Sequence, residues 1–222
     1  VLVRLRISVP DRPGSLGRVT SAIGSAGGDI AKVDVLESEA GRALDDVFVT
    51  VRDAAHLGRL TGTVGALAGV VIVGVQSPAP PATGHTDLEL VQQVLSQPSR
   101  SLRTLVDGAP AALGADWAAL LEFGPDHAQS AVIACSIRAP EPGAIVVAAP
   151  LRLGAVRLTD PATGASYSGA ALVPLAGTQV GLLLARESGV DFHRTELWRF
   201  GPLGAIVGPV VLAVAEAVEP AI

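Results

Sequence analysis

The residues best suited to hold a ligand lie in two short glycine-bearing segments near the N-terminus. Asp11-Arg12-Pro13-Gly14-Ser15-Leu16 follows one alternating apolar stretch, and Gly28-Asp29-Ile30 precedes another. Pro13 and Gly14 turn the chain into a helix whose first N–H groups have no partner inside the helix. Those groups, with the positive end of the helix dipole, suit an anion such as a carboxylate. Gly14 lacks a Cβ and lets a ligand approach the backbone closely. Asp11 and Asp29 are expected at the same end of a sheet, where both accept a cationic group. A plainer alternative stays open, in which Pro13 and Gly14 only turn the chain and the aspartates are solvated caps.

Other candidate chemistry is thinner. Cys135, between Ile133 and Ile137, reads as a small core side chain sharing their strand face rather than as a nucleophile. Gly164-Ala165-Ser166-Tyr167-Ser168-Gly169 places a serine where a G-x-S-x-G turn needs its second glycine. Gly58, Gly62, Gly65 and Gly69 lack dinucleotide spacing and lie in or beside a helix. Asp126-His127 and Asp191-Phe192-His193 each set an aspartate near a histidine, and both read as solvated turns. His56, His85, His127 and His193 never approach the i, i+4 spacing of a zinc helix. Lys32 is the one lysine and follows an alanine, so no phosphate-binding loop of the Walker type exists. No nucleophile, base and oxyanion donor assemble, and the expectation is a non-enzyme with no metal and no cofactor.

Composition narrows the partners. The net charge of −5 over 222 residues and a pI near 5.3 argue against nucleic acid. One cysteine excludes a disulfide framework. The chain is 49% hydrophobic and only 17% charged, against a usual charged share of about 25%. That shortage of charge points to apolar surface covered by a partner copy. No signal-peptide pattern opens the sequence, although it begins without Met. The uncharged run from Arg199 to Glu216 falls short of the roughly 20 residues of a membrane span. No membrane partner and a cytoplasmic location are therefore expected.

The elements that must position these residues follow from periodicity. Val1, Val3, Leu5, Ile7 and Val9 alternate with other residues as in a half-buried strand. Leu16, Val19, Thr20 and Ile23 then share a helical face, which Gly27-Gly28 ends. Ala31, Val33 and Val35 predict a second strand, and Val47, Val49 and Val51 a third, after a turn at Ala40-Gly41. Asp53 caps a helix carrying Leu57, Leu60, Val64 and Leu67, and Val70 to Val75 is a last strand. The order is βαββαβ.

That order, with D-R-P-G-S-L-G after the first strand and G-G-D-I before the second, resembles the ACT domain over residues 1–76. The module at the N-terminus of some bacterial malic enzymes is the likeness in view, without the catalytic domain that follows there. The resemblance implies a ferredoxin-like fold, a regulatory role, an amino-acid ligand and pairing into dimers. An amino acid needs its carboxylate and its ammonium satisfied together, which is what the two segments offer. Many ACT sites carry an amide at the position of Asp29. An aspartate there keeps the ammonium contact but cannot donate to the carboxylate.

Ser77-Pro78-Ala79-Pro80-Pro81-Ala82-Thr83-Gly84 reads as a semi-rigid spacer, so residues 77–86 are expected to link two domains. Beyond it, helices from Asp87 to Leu95 and around Leu102, Leu105, Val106 and Ala109 precede strand-like runs. The runs are Trp117 to Phe123, Ala131 to Ile137, Ala144 to Ala149, Ala170 to Leu175 and Gln179 to Ala185. Helical spacing returns at Leu197, Leu203, Val207, Val211, Val214 and Val218. Helices at both ends of a strand-rich middle make one α+β domain. The segment A-L-V-P-L-A-G-T-Q-V-G-L-L-L-A-R, with Phe192, Glu196 and Leu197 after it, resembles a GAF domain over residues 87–219. The resemblance implies a small-molecule sensor that dimerises through its terminal helices. It does not imply cyclic-nucleotide binding, because the chain has no asparagine for that subset's Asn-Lys-Phe-Asp-Glu signature.

The combined reading is a regulatory sensor that binds an amino acid or similar small molecule. The alternative is a detached regulatory subunit that controls a partner enzyme without a ligand of its own. A homodimer is expected, its seam formed by Leu203 to Val218 with Leu88, Val91 and Val94, and Pro209 is expected to kink or split the last helix.

Overall fold

The computed structural model describes residues 1–76, 86–125, 130–159, 166–187 and 191–218. The chain divides into two compact units, Val1–Pro78 and Ala79–Ile222. The expected spacer at residues 77–84, His85 and the Asp126-His127 pair lie outside the described residues.

The first unit runs β1 (Leu2–Pro10), α1 (Ser15–Ser25), β2 (Asp29–Glu39), β3 (Arg42–Thr50), α2 (Ala54–Gly65) and β4 (Val71–Gln76). The sheet is antiparallel throughout, in the order β2-β3-β1-β4. Its core joins Val3, Leu5, Ile7 and Val9 of β1 and Val47 and Val49 of β3 to Val19 and Ile23 of α1 and Leu60 and Val64 of α2. Both helices therefore cover one face. The β2–β3 turn holds Ala40 at φ 53° and Gly41 at φ 75°, as a tight hairpin requires. Asp53 caps α2, accepting from the His56 amide at 2.7 Å, and that bond holds its carboxyl below the ordinary value.

The other face of β1 departs from the simple alternation. Arg4 and Arg6 are as buried as their apolar neighbours. Arg6 pairs with Asp46 of β3, and Arg4 donates to Gln76 of β4. Charge is tolerated here because each guanidinium meets an acceptor on an adjoining strand.

The second unit runs α3 (Thr86–Ser96), α4 (Ser101–Leu113), β5 (Trp117–Phe123), β6 (Ser130–Cys135), β7 (Val146–Val147), β8 (Gly154–Thr159), β9 (Ser166–Pro174), β10 (Val180–Ala185) and α5 (Arg194–Val218). Its antiparallel sheet has the order β6-β5-β10-β9-β8-β7. One sheet face packs on the three helices through Leu90, Val94, Leu105, Leu120, Leu182, Phe200 and Val207. The other face packs Trp117, Leu121, Leu172 and Leu183 under Ile145, Val147 and Leu151. Both units thus have the expected α+β class.

Three details correct the sequence reading. Strand β8 escaped it, and the run at Ala144 to Ala149 forms only the short β7. Cys135 does not share a core face with Ile133 and Ile137, which are exposed. The register of β6 against β5 slips at Ile133, so Cys135 turns to the opposite side and packs half-buried, its thiol pushed up by burial and by Glu141. Helix α5 is continuous through Pro202 and Pro209, so Pro209 does not split it. The carbonyls these prolines release belong to Trp198 and Ala205, both on the exposed side of the helix.

Helix α5 is long and apolar enough to cross a membrane by length and composition, yet one side of it is core. Leu203, Val207 and Val211 are buried, and two glycines bring its backbone onto the sheet's end. A Cβ on Gly204 would lie 2.2 Å from the Pro174 carbonyl oxygen, and one on Gly208 2.2 Å from that of Ala176. The expectation that this stretch is apolar toward a partner all round is therefore wrong for that side. In α3, likewise, Val91 and Val94 are buried in the unit's own core while Leu88 is exposed.

Candidate functional site

The turn between β1 and α1 is built as its sequence dictates. Gly14 stands at the capping position with φ 84°, a left-handed conformation, and no side chain caps the helix. The Ser15 amide donates to the Arg12 carbonyl at 3.1 Å, and the Arg18 amide to the Gly14 carbonyl at 3.0 Å. Among the described residues nothing accepts from the amides of Leu16 and Gly17. A Cβ at Gly14 or Gly17 would meet nothing within 4 Å, so the turn is open above. The result is an uncapped, accessible helix N-terminus with Asp11, Arg12 and Pro13 beside it.

Asp11 is fixed in place. Its amide donates to the Gly41 carbonyl at 2.9 Å, and its carboxylate accepts from the Ser38 hydroxyl. Arg42 braces the same corner, donating to the Ser8 hydroxyl at 2.8 Å and to the Gly69 carbonyl at 3.0 Å.

Gly28, Asp29 and Ile30 are not there. Asp29 pairs with Thr50, which pairs with Leu2, so it stands where β1 begins, whereas Asp11 follows its end. At about 3.3 Å per strand residue the two aspartates are about 30 Å apart. The expectation of one shared end is overturned, because α1 carries the chain back along the sheet before β2 starts. Gly28 is a packing glycine, whose Cβ would fall 2.6 Å from Leu60, 2.8 Å from Ile23 and 2.9 Å from Val49. Nearby, buried His56 accepts from the Arg52 amide through Nδ1 at 3.1 Å and reaches the Ala26 carbonyl through Nε2 at 2.9 Å. It thereby ties the end of α1 to the start of α2.

Sequence reasoning missed Asp45. It faces the helix side of β3, paired with Ile7 and Val35, and is 2% exposed. Its Oδ1 has no hydrogen-bond partner among the described residues. Burial, then Asp46, then Asp11 hold its carboxyl above the ordinary value. The only signal in the sequence is an aspartate pair inside a strand, where aspartate is depleted.

In the second unit the candidate groups are occupied structurally. Arg186 donates to the Gly114 carbonyl at 2.8 Å and to Glu196 at 2.5 Å, and lies 3.7 Å over the Phe192 ring. Glu196 also accepts from the His193 amide at 2.9 Å, closing the first turn of α5. Asp191 accepts from the Gly169 amide at 3.0 Å, and His193 bonds Thr195. Glu122, Phe123, Pro125 and Gln179 edge a wide, open depression. Among the described residues no three His, Cys, Asp or Glu side chains gather as a metal site.

No curated protein matches the chain. Among solved structures, the GAF domain from Acinetobacter phosphoenolpyruvate-protein phosphotransferase is 19% identical, with a TM-score of 0.43 over 60% of this chain and 94% of that one. The GAF domain of a protein described as a sensor histidine kinase from Pseudomonas syringae pv. tomato is 18% identical, with a TM-score of 0.41 over 61% and 92%. A formyltetrahydrofolate deformylase from Pseudomonas putida KT2440 is 17% identical, with a TM-score of 0.29 over 44% and 39%. The family model of the ACT domain matches residues 3–69. With its βαββαβ order and four-stranded sheet, that stretch of the first unit is an ACT domain.

Proposed function

We propose that the chain is a non-catalytic, cytoplasmic sensor whose ACT half binds an amino acid or a similar small zwitterion. Its GAF-like half serves dimerisation or a second ligand. One observation carries the reading: the uncapped, open N-terminus of α1 at Gly14, next to the anchored carboxylate of Asp11. Two free amides and the helix dipole favour a carboxylate, and an adjacent aspartate favours an ammonium.

Asp29 joins such a site only from a second copy. A small zwitterion cannot span the ~30 Å that separates the two aspartates of one chain. Antiparallel pairing of two ACT units about a two-fold axis sets the Asp11 end of one beside the Asp29 end of the other. The homodimer is thus part of the proposal.

Thermal melting against the twenty protein amino acids tests it. At a hundred times its dissociation constant a ligand adds about 2.7 kcal/mol to the unit that binds it. Gly14→Val, which blocks the backbone approach, is expected to abolish that shift. Asp29→Ala is expected to weaken it only where the protein is dimeric. If no amino acid moves the wild-type melt, the reading is wrong and a ligand-free subunit of a partner enzyme takes its place.

A further inference from the structure

We propose that Asp45 is a second ammonium-binding residue, beside Asp11 of the same chain, at the β1–α1 corner, so that the ligand carries a primary amine beside its carboxylate. The inference rests on the sensor reading above and adds a residue to it.

Position comes first. On the helix-facing side of β3, Asp45 stands between Ala43 and Val47, across from Ile7. Val47 and Ile7 are core residues, and an aliphatic side chain is what that row calls for. Asp46, the next residue, faces the opposite side and is fully engaged by Arg6. Among the described residues no cation pairs with Asp45. A buried carboxylate oxygen without a donor is costly, and native chains keep few of them.

The surroundings point to the corner rather than to the middle of the core. Strand β2 slips its register between Val35 and Glu37, opposite Asp45, and such bulges open a ladder locally. The carboxyl of Asp45 feels the charge of Asp11, the residue that opens the β1–α1 turn. Helix α1, with its free Leu16 and Gly17 amides, covers this face. An α-amino acid whose carboxylate meets those amides holds its amine next to that carboxylate, within reach of aspartates on the same side. An arriving ammonium supplies the missing donor and offsets the repulsion between Asp45, Asp46 and Asp11.

Isothermal titration and thermal melting of the full chain decide the matter, using whichever of the twenty amino acids raises the wild-type melting temperature most. Asp45→Val and Asp45→Asn are compared with wild type. Asp45→Val is expected to melt higher than wild type without ligand, because it removes a buried carboxylate oxygen that has no partner among the described residues. Both variants are expected to bind the amino acid at least tenfold more weakly. Wild-type affinity in both would overturn the role of Asp45 while leaving the sensor reading intact. No response in the wild type would overturn the two together.

Discussion

Arg6 grips Asp46 with two parallel bonds, Nε to Oδ1 at 2.8 Å and Nη2 to Oδ2 at 2.7 Å, between central strands of the ACT sheet. Both side chains are about 5% exposed. Removing one partner leaves the other charge buried alone, which costs about 3–5 kcal/mol, whereas replacing both with apolar residues is far milder. Asp46→Ala is therefore expected to lower the urea midpoint of the first unit sharply. The double variant Arg6→Met/Asp46→Leu is expected to recover most of that loss.

Two glycines of similar appearance in the sequence are expected to respond oppositely to alanine. Gly208 in α5 leaves no room, since a Cβ there meets the backbone of Ala176 at 2.2 Å. Backbone cannot rotate away, so Gly208→Ala is expected to displace the helix and cost several kcal/mol, as overpacking does at its severe end. Gly17 in α1 faces open space, and Gly17→Ala is expected to stabilise by about 0.5–1 kcal/mol through helix propensity. Denaturant melts of the two variants, followed unit by unit, check both signs.

The contrast shows what a sequence discloses. Strong periods such as Leu5-Ile7-Val9 and Leu60-Val64 identify strands and helices, because burial on one face writes itself into spacing. Element order then gave the ACT resemblance. Order does not say which end of the sheet a residue reaches, and Asp11 and Asp29 stand at opposite ends of it. Nor does spacing reveal a one-residue slip: Ile133 in its bulge turns Cys135 away from the face that strict alternation assigns it. Gly154 to Thr159 is illegible as a strand because a short, half-buried strand near the sheet's rim carries little apolar contrast. Asp45 was invisible as a site residue because its meaning lies in a missing partner.

Asp45 also sets a pH dependence. Its folded carboxyl is raised above the ordinary value by burial, Asp46 and Asp11. A raised carboxyl contributes stability that is fully present below the unfolded pKa of about 3.9 and lost as pH rises through the folded value. Above that window the ionised group penalises the fold. The advantage of Asp45→Asn over wild type is therefore expected to be largest at neutral pH and to shrink as the pH falls toward 4. Urea midpoints of both proteins across that range check it, and other carboxylates cancel in the difference. An advantage that grows on acidification would show the sign to be wrong.

The dimer is best tested on the outer side of α5. Trp198 is 66% exposed, Ile206 45% and Leu212 37%. With Pro202, Ala205, Pro209 and Ala213, also exposed, they recur at helical intervals and form a stripe that is apolar from Pro202 to Ala213, with Arg194 over the Trp198 ring and exposed Arg199 at its N-terminal end. Leu88 and Leu95 of α3 add apolar surface at 59% and 43% exposure in the same unit. A helix on a monomer's surface ordinarily carries a polar outer face, and contiguous apolar patches beyond a few hundred Å² are uncommon on monomers. Val211 is unsuited to the test, because it is 5% exposed within the unit's own core, and a glutamate there would unfold the unit rather than split a dimer. Trp198→Glu with Ile206→Glu alters only the exposed stripe. The double variant is expected to keep its circular dichroism and its melt while its light-scattering mass halves. A wild-type protein that is already monomeric at working concentration would remove the stripe as a dimer seam, and with it the second copy that Asp29 needs.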